Sequence, residues 1–277
     1  MPLSLSPAAP ARLLECLRAL LPAWKRKTLE QRVRSGCVRV NGTVVLRPEA
    51  PVAPGDAIEL ADAPFEVERP RAPFPILHDD AELVAIDKPA ELLAVGTDEG
   101  GERNTLALLR AHLGAPLWPV HRLDRETSGV LLFAKSRAAQ QAVQADWEHA
   151  RKFYLAIVEG RIEPVNGTID APLWEDARLF VHAGAHPDAK PARTRYRTLE
   201  RGRTRTLLEV ELDTGRKHQI RVHLASRGCP VVGDERYGTP AERLGLHAWK
   251  LALRRPSERS ELVLEAPPPR AFSALLR

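Results

Sequence analysis

An α+β fold is expected for this 277-residue chain, and three observations carry it. Strand-like runs fall at 82–86, 130–134, 152–158, 195–199 and 206–213, with helical patterns at 104–113, 136–149 and 217–227. The two kinds do not alternate as regular βαβ units, which favours a mixed, largely antiparallel β-sheet flanked by helices over a doubly wound one. A helix–helix–hairpin unit of about 55 residues precedes them, within the size at which small domains fold alone. Between the two, prolines at 64, 70, 73 and 75 punctuate residues 63–75 and make a stiff, extended linker. The expected organisation is a flexible arm over 1–10, a small α/β domain over 11–70 and a larger domain over 71–277.

In chain order, leucines at 13, 14, 17, 20 and 21 recur with helical spacing until Pro22 stops the run. A second short helix fits Lys25 to Arg34, with Gly36 just past its end. Val38-Arg39-Val40 and Thr43 to Leu46 flank Asn41-Gly42, the strongest two-residue hairpin signal. Pro54-Gly55-Asp56 turns the chain into a strand over 57–60. Glu82 to Ile86 then leads into Asp87-Lys88-Pro89, and Thr206 to Asp213 is the clearest strand, with Leu208, Val210 and Leu212 on one side and Glu209 and Glu211 on the other.

Composition narrows the function classes. Lys+Arg number 41 against 36 Asp+Glu, a net charge of +5, which agrees with a nucleic-acid partner without requiring one. Arginine supplies 33 of the 41, a skew that genomic base composition also produces. Cys16, Cys37 and Cys229 are far apart and odd in number, against a disulfide framework or a zinc site. His218 and His223 are five apart and no cysteine joins them, so no metal is expected and hydrogen bonding is the better role for these histidines and His121. No apolar run approaches the roughly 20 residues that cross a bilayer, and the start lacks a secretory pattern. A cytoplasmic, monomeric protein with no membrane partner is expected.

The most informative stretch is His121-Arg122-Leu123-Asp124-Arg125-Glu126-Thr127-Ser128-Gly129, running into an apolar strand. An isolated D-x-x-T-S-G is most often a turn whose Asp124 and Thr127 satisfy local backbone donors. Here Asp124 stands between Arg122 and Arg125, and neighbouring positive charge stabilises an anion. The same guanidiniums can hold phosphates, so the pattern points to a carboxylate acting on a nucleotide. Downstream, Thr214-Gly215-Arg216-Lys217-His218-Gln219-Ile220-Arg221-Val222-His223-Leu224 reads as a helix with Lys217, His218 and Arg221 on one face. Arg216 and Lys217 in a first turn oppose the helix dipole, so an anion is expected there, either an RNA phosphate or the Asp124 carboxylate reached by Arg221. In the strand over 151–158, Tyr154 serves equally well as core or as an aromatic face on which an extruded base stacks. Nearer the amino terminus, Lys25, Arg26, Lys27, Arg32, Arg34 and Arg39 oppose a single acid, Glu30, and form a local basic face.

Two resemblances follow from these motifs. Ser35-Gly36-Cys37-Val38-Arg39-Val40-Asn41-Gly42, with the Pro54-Gly55-Asp56 turn and the basic helix, resembles the S-four-like RNA-binding domain. That resemblance implies structured RNA, bound by shape and phosphate contacts. Over nearly all of 75–277, Asp87-Lys88-Pro89, H-R-L-D with Thr127-Ser128-Gly129, Lys152-Phe153-Tyr154, T-G-R-K-H-Q-I-R-V-H, Gly228-Cys229-Pro230, Gly233-Asp234 and Leu246-His247-Ala248 resemble the RluA-type RNA pseudouridine synthases. The resemblance implies that Asp124 is the catalytic aspartate, that Tyr154 packs against the target base, and that Arg221 forms the ion pair orienting the aspartate. It implies that Arg122 fills the space a flipped uridine leaves; Arg125, Arg216, Lys217 and His218 are expected to meet RNA as well. Lys217 stands where Thr or Ser is usual, and Glu91 where Gly is common.

Isomerising uridine to pseudouridine needs no redox change or group donor, so no cofactor is expected. One carboxylate can attack the anomeric carbon, add to the base, or remove a ribose proton, and the residues are compatible with all three. The expected partner is structured RNA, ribosomal large-subunit RNA ahead of transfer RNA. A non-catalytic RNA-binding or ribosome-assembly factor is the competing class. An RNA N-glycosidase, which would use a second carboxylate, is more distant.

Overall fold

In a computed structural model, residues 2–65, 70–96 and 103–277 are described. The chain divides into two compact units, Met1–Arg69 and Pro70–Arg277.

The first unit comprises β1 (Leu3–Leu5), β2 (Ala11–Arg12), α1 (Leu13–Leu20), α2 (Arg26–Arg34), β3 (Val38–Val40), β4 (Thr43–Val44), β5 (Pro51–Val52) and β6 (Ile58–Leu60). Its four-stranded sheet has the order β1-β6-β3-β4. The hairpin between β3 and β4 turns at Asn41 (φ 51°) and Gly42 (φ 76°), two left-handed residues in succession as a two-residue turn of this type needs. Leu13, Leu17, Leu29, Val33, Val38 and Ile58 are fully buried together, so both helices bury their apolar stripe on the sheet. Part of the arm expected over residues 1–10 is paired: Leu3, Ser4 and Leu5 meet Leu60, Glu59 and Ile58. An edge strand satisfies those backbone groups, which the small, proline-rich composition does not advertise.

The second unit comprises β7 (Ile76–Asp79), β8 (Leu83–Lys88), α3 (Thr105–Leu113), β9 (Trp118–Pro119), β10 (Ser128–Ala134), α4 (Arg137–Ala145), β11 (Arg151–Glu159), β12 (Asn166–Asp170), β13 (Leu173–Glu175), β14 (Val181–Ala183), β15 (Arg193–Arg201), β16 (Arg205–Leu212), α5 (Gln219–Ser226), β17 (Leu246–Arg254), β18 (Glu261–Glu265) and α6 (Arg270–Ser273). The main sheet runs β12-β15-β16-β11-β17-β10-β8-β7, with β18 paired to β17 and β9 to β10. Every pairing is antiparallel except β10 with β17, where Ser128 and Gly129 meet His247 and Ala248 in parallel. The mixed, largely antiparallel sheet is therefore as expected. β10 is buried along its whole length, which its unbroken apolar sequence requires. α3 starts on the Asn104 side chain, which accepts from Ala107 N–H, and ends at Gly114 in the left-handed region (φ 64°). Ser136 caps α4 in the same way.

The expected linker is mostly drawn into the two units. Phe65 N–H bonds the Gly36 carbonyl; Phe74 is buried with Val84, Ile86 and Phe133. Residues 66–69 of the expected linker lie outside the described residues.

Candidate active site

β10 and β11 bring the two halves of the site to one place. Asp124 lies in the turn just before β10, where Thr127 N–H bonds its carbonyl at 3.2 Å. Gly129 follows at φ 113°, and a Cβ there would come within 2.1 Å of the Ala248 carbonyl oxygen, so only glycine lets β17 close on β10 here. Arg243 donates to Ser128 Oγ at 2.8 Å, Ser128 Oγ meets His247 Nδ1 at 2.8 Å, and His247 Nε2 meets the Ala266 carbonyl at 2.9 Å. This buried chain fixes the start of β10. His121 serves the same loop: its Nε2 accepts from Leu132 N–H at 3.1 Å and its ring stacks on Trp147. Burial, with the Lys152 charge behind it, holds the His121 pKa down to about 4, so the imidazole is the neutral acceptor that the Leu132 bond requires.

Lys88 anchors the loop from below. It is wholly buried, and its ammonium donates to the carbonyls of Pro89, Leu92 and Arg125 at 2.9, 2.7 and 3.0 Å. Burial lowers its pKa to about 8, with the charges of Asp124, Glu126 and Glu91 opposing the fall. Thus the lysine of Asp87-Lys88-Pro89, given no role from sequence, ties the two loops flanking the aspartate.

Arg221, on α5, is the cation that meets Asp124. Its Nη1 lies 3.5 Å from Asp124 Oδ2 and 3.6 Å from Glu126 Oε2. Its other edge grips Asp234, with Nε to Oδ2 at 2.7 Å and Nη2 to Oδ1 at 2.8 Å. Asp234 is completely buried, and its Oδ1 also accepts from Arg236 N–H and Tyr237 N–H. Burial alone would lower the Arg221 pKa; the Asp234 hydrogen bond and charge, then Asp124 and Glu126, raise it above its ordinary value. The Asp124 side chain itself is 28% exposed, open to a substrate. Tyr154, on β11, is half-buried between two clusters of the core, and burial followed by the Asp124 charge raises its phenol pKa. Asp124, Tyr154 and Arg221, scattered over 97 residues, are therefore one neighbourhood.

The expected cationic cage around Asp124 is arranged differently. Arg122 is exposed, and Arg125 pairs with Glu91 at 3.5 Å rather than with the aspartate. Glu91 stands at φ 63°, the conformation for which glycine is the easy choice. Arg216 and Lys217 are not in a first helical turn, because α5 begins at Gln219 and its cap His218 has φ 53°. Arg216 Nε donates to the Pro191 carbonyl, and Lys217 pairs with Glu175 on β13. The compensating anion expected there is this glutamate. His218 turns its Nδ1 to the Tyr237 hydroxyl at 2.8 Å and leaves Nε2 4.0 Å from Asp124 Oδ2. Burial lowers its pKa against the pull of Asp124. His223 bonds Thr194 Oγ1 and the Ala171 carbonyl, a structural role as expected.

In the first unit the basic face splits. Arg32 donates to the Ala61 and Asp62 carbonyls, Arg34 pairs with Glu30 at 2.9 Å, and Arg39 lies 4.0 Å over the Phe65 ring. Lys25, Arg26 and Lys27, at the start of α2, are exposed.

Comparison with known proteins completes the assignment. The RNA pseudouridylate synthase family pattern matches residues 82–226, and that of the S4 domain residues 12–58. The ribosomal large subunit pseudouridine synthase D of Nitrosomonas europaea is 36% identical over 96% of this chain and 83% of its own length. Its namesake from Pasteurella multocida is 33% identical over 96% and 90%. Among solved structures, human RNA pseudouridylate synthase domain containing 4 has a TM-score of 0.59 at 28% identity, covering 72% of this chain and 90% of its own. Human RNA pseudouridylate synthase domain containing 1 shares the fold, with a TM-score of 0.63 at 24% identity over 75% and 90%. With the aspartate turn, the facing arginine and an amino-terminal RNA-binding unit in place, this chain belongs to the RluA-type RNA pseudouridine synthase family.

Proposed function

We propose that this enzyme converts specific uridines of large-subunit ribosomal RNA to pseudouridine, with Asp124 as the reacting carboxylate. The observation that carries the reading is the Arg221 guanidinium, clamped by buried Asp234 on one edge and presenting Nη1 to the accessible Asp124 carboxylate on the other. A fully buried bidentate pair holds the guanidinium plane fixed, so the aspartate is oriented before substrate arrives. Tyr154 is near enough for the Asp124 charge to raise its phenol pKa, which supports assigning it as the aromatic on which the extruded base stacks. Arg122, exposed two residues before the aspartate, is free to enter the gap the flipped base leaves.

The reaction breaks the bond from ribose C1′ to base N1 and forms one from C1′ to C5; the C5 proton is lost and N1 gains one. Nothing is oxidised and nothing is donated, so one carboxylate beside a bound nucleotide suffices in kind. Glu126 shares Arg221 Nη1, and we assign it no chemical role.

The ribosomal target is supported by relatives that are named for it and matched over most of their length, and by the S4 domain. Among the described residues no helix is long and apolar enough to cross a membrane; a cytoplasmic monomer acting on RNA completes the reading. Pseudouridine maps of ribosomal and transfer RNA from cells with and without the gene test it. A site lost only from large-subunit RNA is expected; a site lost only from transfer RNA would replace the target.

A further inference from the structure

Lys152 takes no part in the chemistry above, yet its charge is the hardest in the synthase unit to account for. The residue is 8% exposed. On β11 it stands opposite Leu212, as Tyr154 stands opposite Val210, and both partners face the core beside Ile220 and Leu224 of α5. Lys152 and Tyr154 therefore share one face of the strand, about 6.6 Å apart along it. Among the described residues the Lys152 ammonium has no hydrogen-bond partner and no carboxylate within 4.0 Å. Its ammonium lies 5.7 Å from the Trp147 ring centre, and the nearby His121 is neutral. The acids whose charge it feels are engaged elsewhere, Asp213 with Arg193 and Arg195, Glu211 with Arg151 and Arg195.

Removing an ammonium from water without pairing it is costly, and a ring face offsets only part of that. A methionine of similar length would fill the space between Leu212 and Leu251 without that cost. The free protein thus holds a largely buried ammonium with no carboxylate within 4.0 Å, among the described residues, to pair it. The sealed, unpartnered side-chain polar atoms among the described residues are Arg39 Nε, Thr198 Oγ1 and Trp249 Nε1. Lys152 Nζ is not one of them, so its tip opens to solvent. It does so on the strand face it shares with Tyr154, near enough to His121 on one side and to Asp213 and Glu211 on the other for their charges to be felt.

We propose that Lys152 is a substrate-binding residue: its ammonium takes a backbone phosphate of the nucleotide adjacent to the target uridine while the target base lies against Tyr154. The inference rests on the assignment of Tyr154 to the base. The spacing of the two side chains is comparable with one nucleotide, and a compact ammonium suits a point contact with a phosphate oxygen.

The test uses the full chain and unmodified large-subunit ribosomal RNA transcribed in vitro, comparing wild type with Lys152→Met, Lys152→Arg and Asp124→Asn. Affinity is measured across salt, together with the KM for product formation. Loss of one phosphate contact lowers the slope of log affinity against log salt by about 0.7–0.9 in Lys152→Met. The KM is expected to rise about 10-fold; Lys152→Arg should recover most of both. An unchanged slope in Lys152→Met overturns the proposal, whether or not its melting temperature or turnover falls, because a structural lysine alters those without altering counterion release. Asp124→Asn keeps the failures apart: turnover in that variant sinks the catalytic assignment and leaves the Lys152 slope to be read by itself.

Discussion

Replacing Asp234 with asparagine tests how the site is held. Asp234 is fully buried and the Arg221 side chain is 4% exposed, so their two contacts, at 2.7 and 2.8 Å, lie out of water. Asparagine keeps the shape and one acceptor, which still serves Arg236 N–H and Tyr237 N–H. It turns an amide N–H₂ toward a guanidinium nitrogen and leaves the cation with carboxylates only at 3.5 and 3.6 Å. Breaking a buried pair by removing one charge costs about 3–5 kcal/mol. In a unit of about 200 residues, each kcal/mol moves the melting temperature by about 2–4 °C, so a fall of about 6–20 °C is expected. A guanidinium freed from Asp234 also shifts toward Asp124 and Glu126, and a misplacement of about 1 Å costs on the order of 10²-fold in rate. Calorimetry gives the first quantity and single-turnover pseudouridine formation the second. A variant melting within 2 °C of wild type (about one kcal/mol at most) with full turnover would refute the clamp.

Two further outcomes follow from the loop before β10 and from β10 itself. The folded-state pKa of His121 is about 4 against about 6.5 unfolded, so the unfolded chain binds the extra proton between those values. Stability from this residue is complete above about pH 6.5 and is lost progressively as pH falls toward 4, by up to about 3 kcal/mol. Denaturant titrations across that range should show the acid limb, and His121→Gln should flatten it; an identical limb in the variant contradicts the assignment. Gly129→Ala drives a Cβ onto the Ala248 carbonyl at φ 113°, and should cost at least about 3 kcal/mol. Gly215→Ala, with open space around it, should change stability little; equal thermal shifts for the two would count against the close β10–β17 approach.

How far the sequence disclosed this site depends on which interactions local pattern encodes. Asp124, Tyr154 and Arg221 could be read from motif residues, because each sits in a short, distinctive run. The cation partners could not. Arg122 and Arg125 lie within two residues of Asp124 in sequence, but Arg122 is exposed and Arg125 goes to Glu91 instead. Periodicity starts a helix near Lys217, whereas His218 adopts a left-handed cap and the helix waits until Gln219. Asp234 was visible only as part of a Gly-Asp pair, its role set by burial against a residue 13 positions away. Leu246–Arg254 escaped as a strand because Leu, Ala and Lys favour helix; pairing with β10, β11 and β18 overrides that preference. The turn of the β3–β4 hairpin, by contrast, is dictated by two residues and was legible, although the second strand stops at Val44 and not at Leu46.

The central claim is that one carboxylate, oriented by a clamped guanidinium, performs the isomerisation. Asp124→Asn tests it most directly, with pseudouridine formation and RNA affinity measured on the same transcript. The account predicts no product with affinity within about twofold of wild type, since an amide keeps the size and loses the anion. Product formed at the wild-type rate would contradict it.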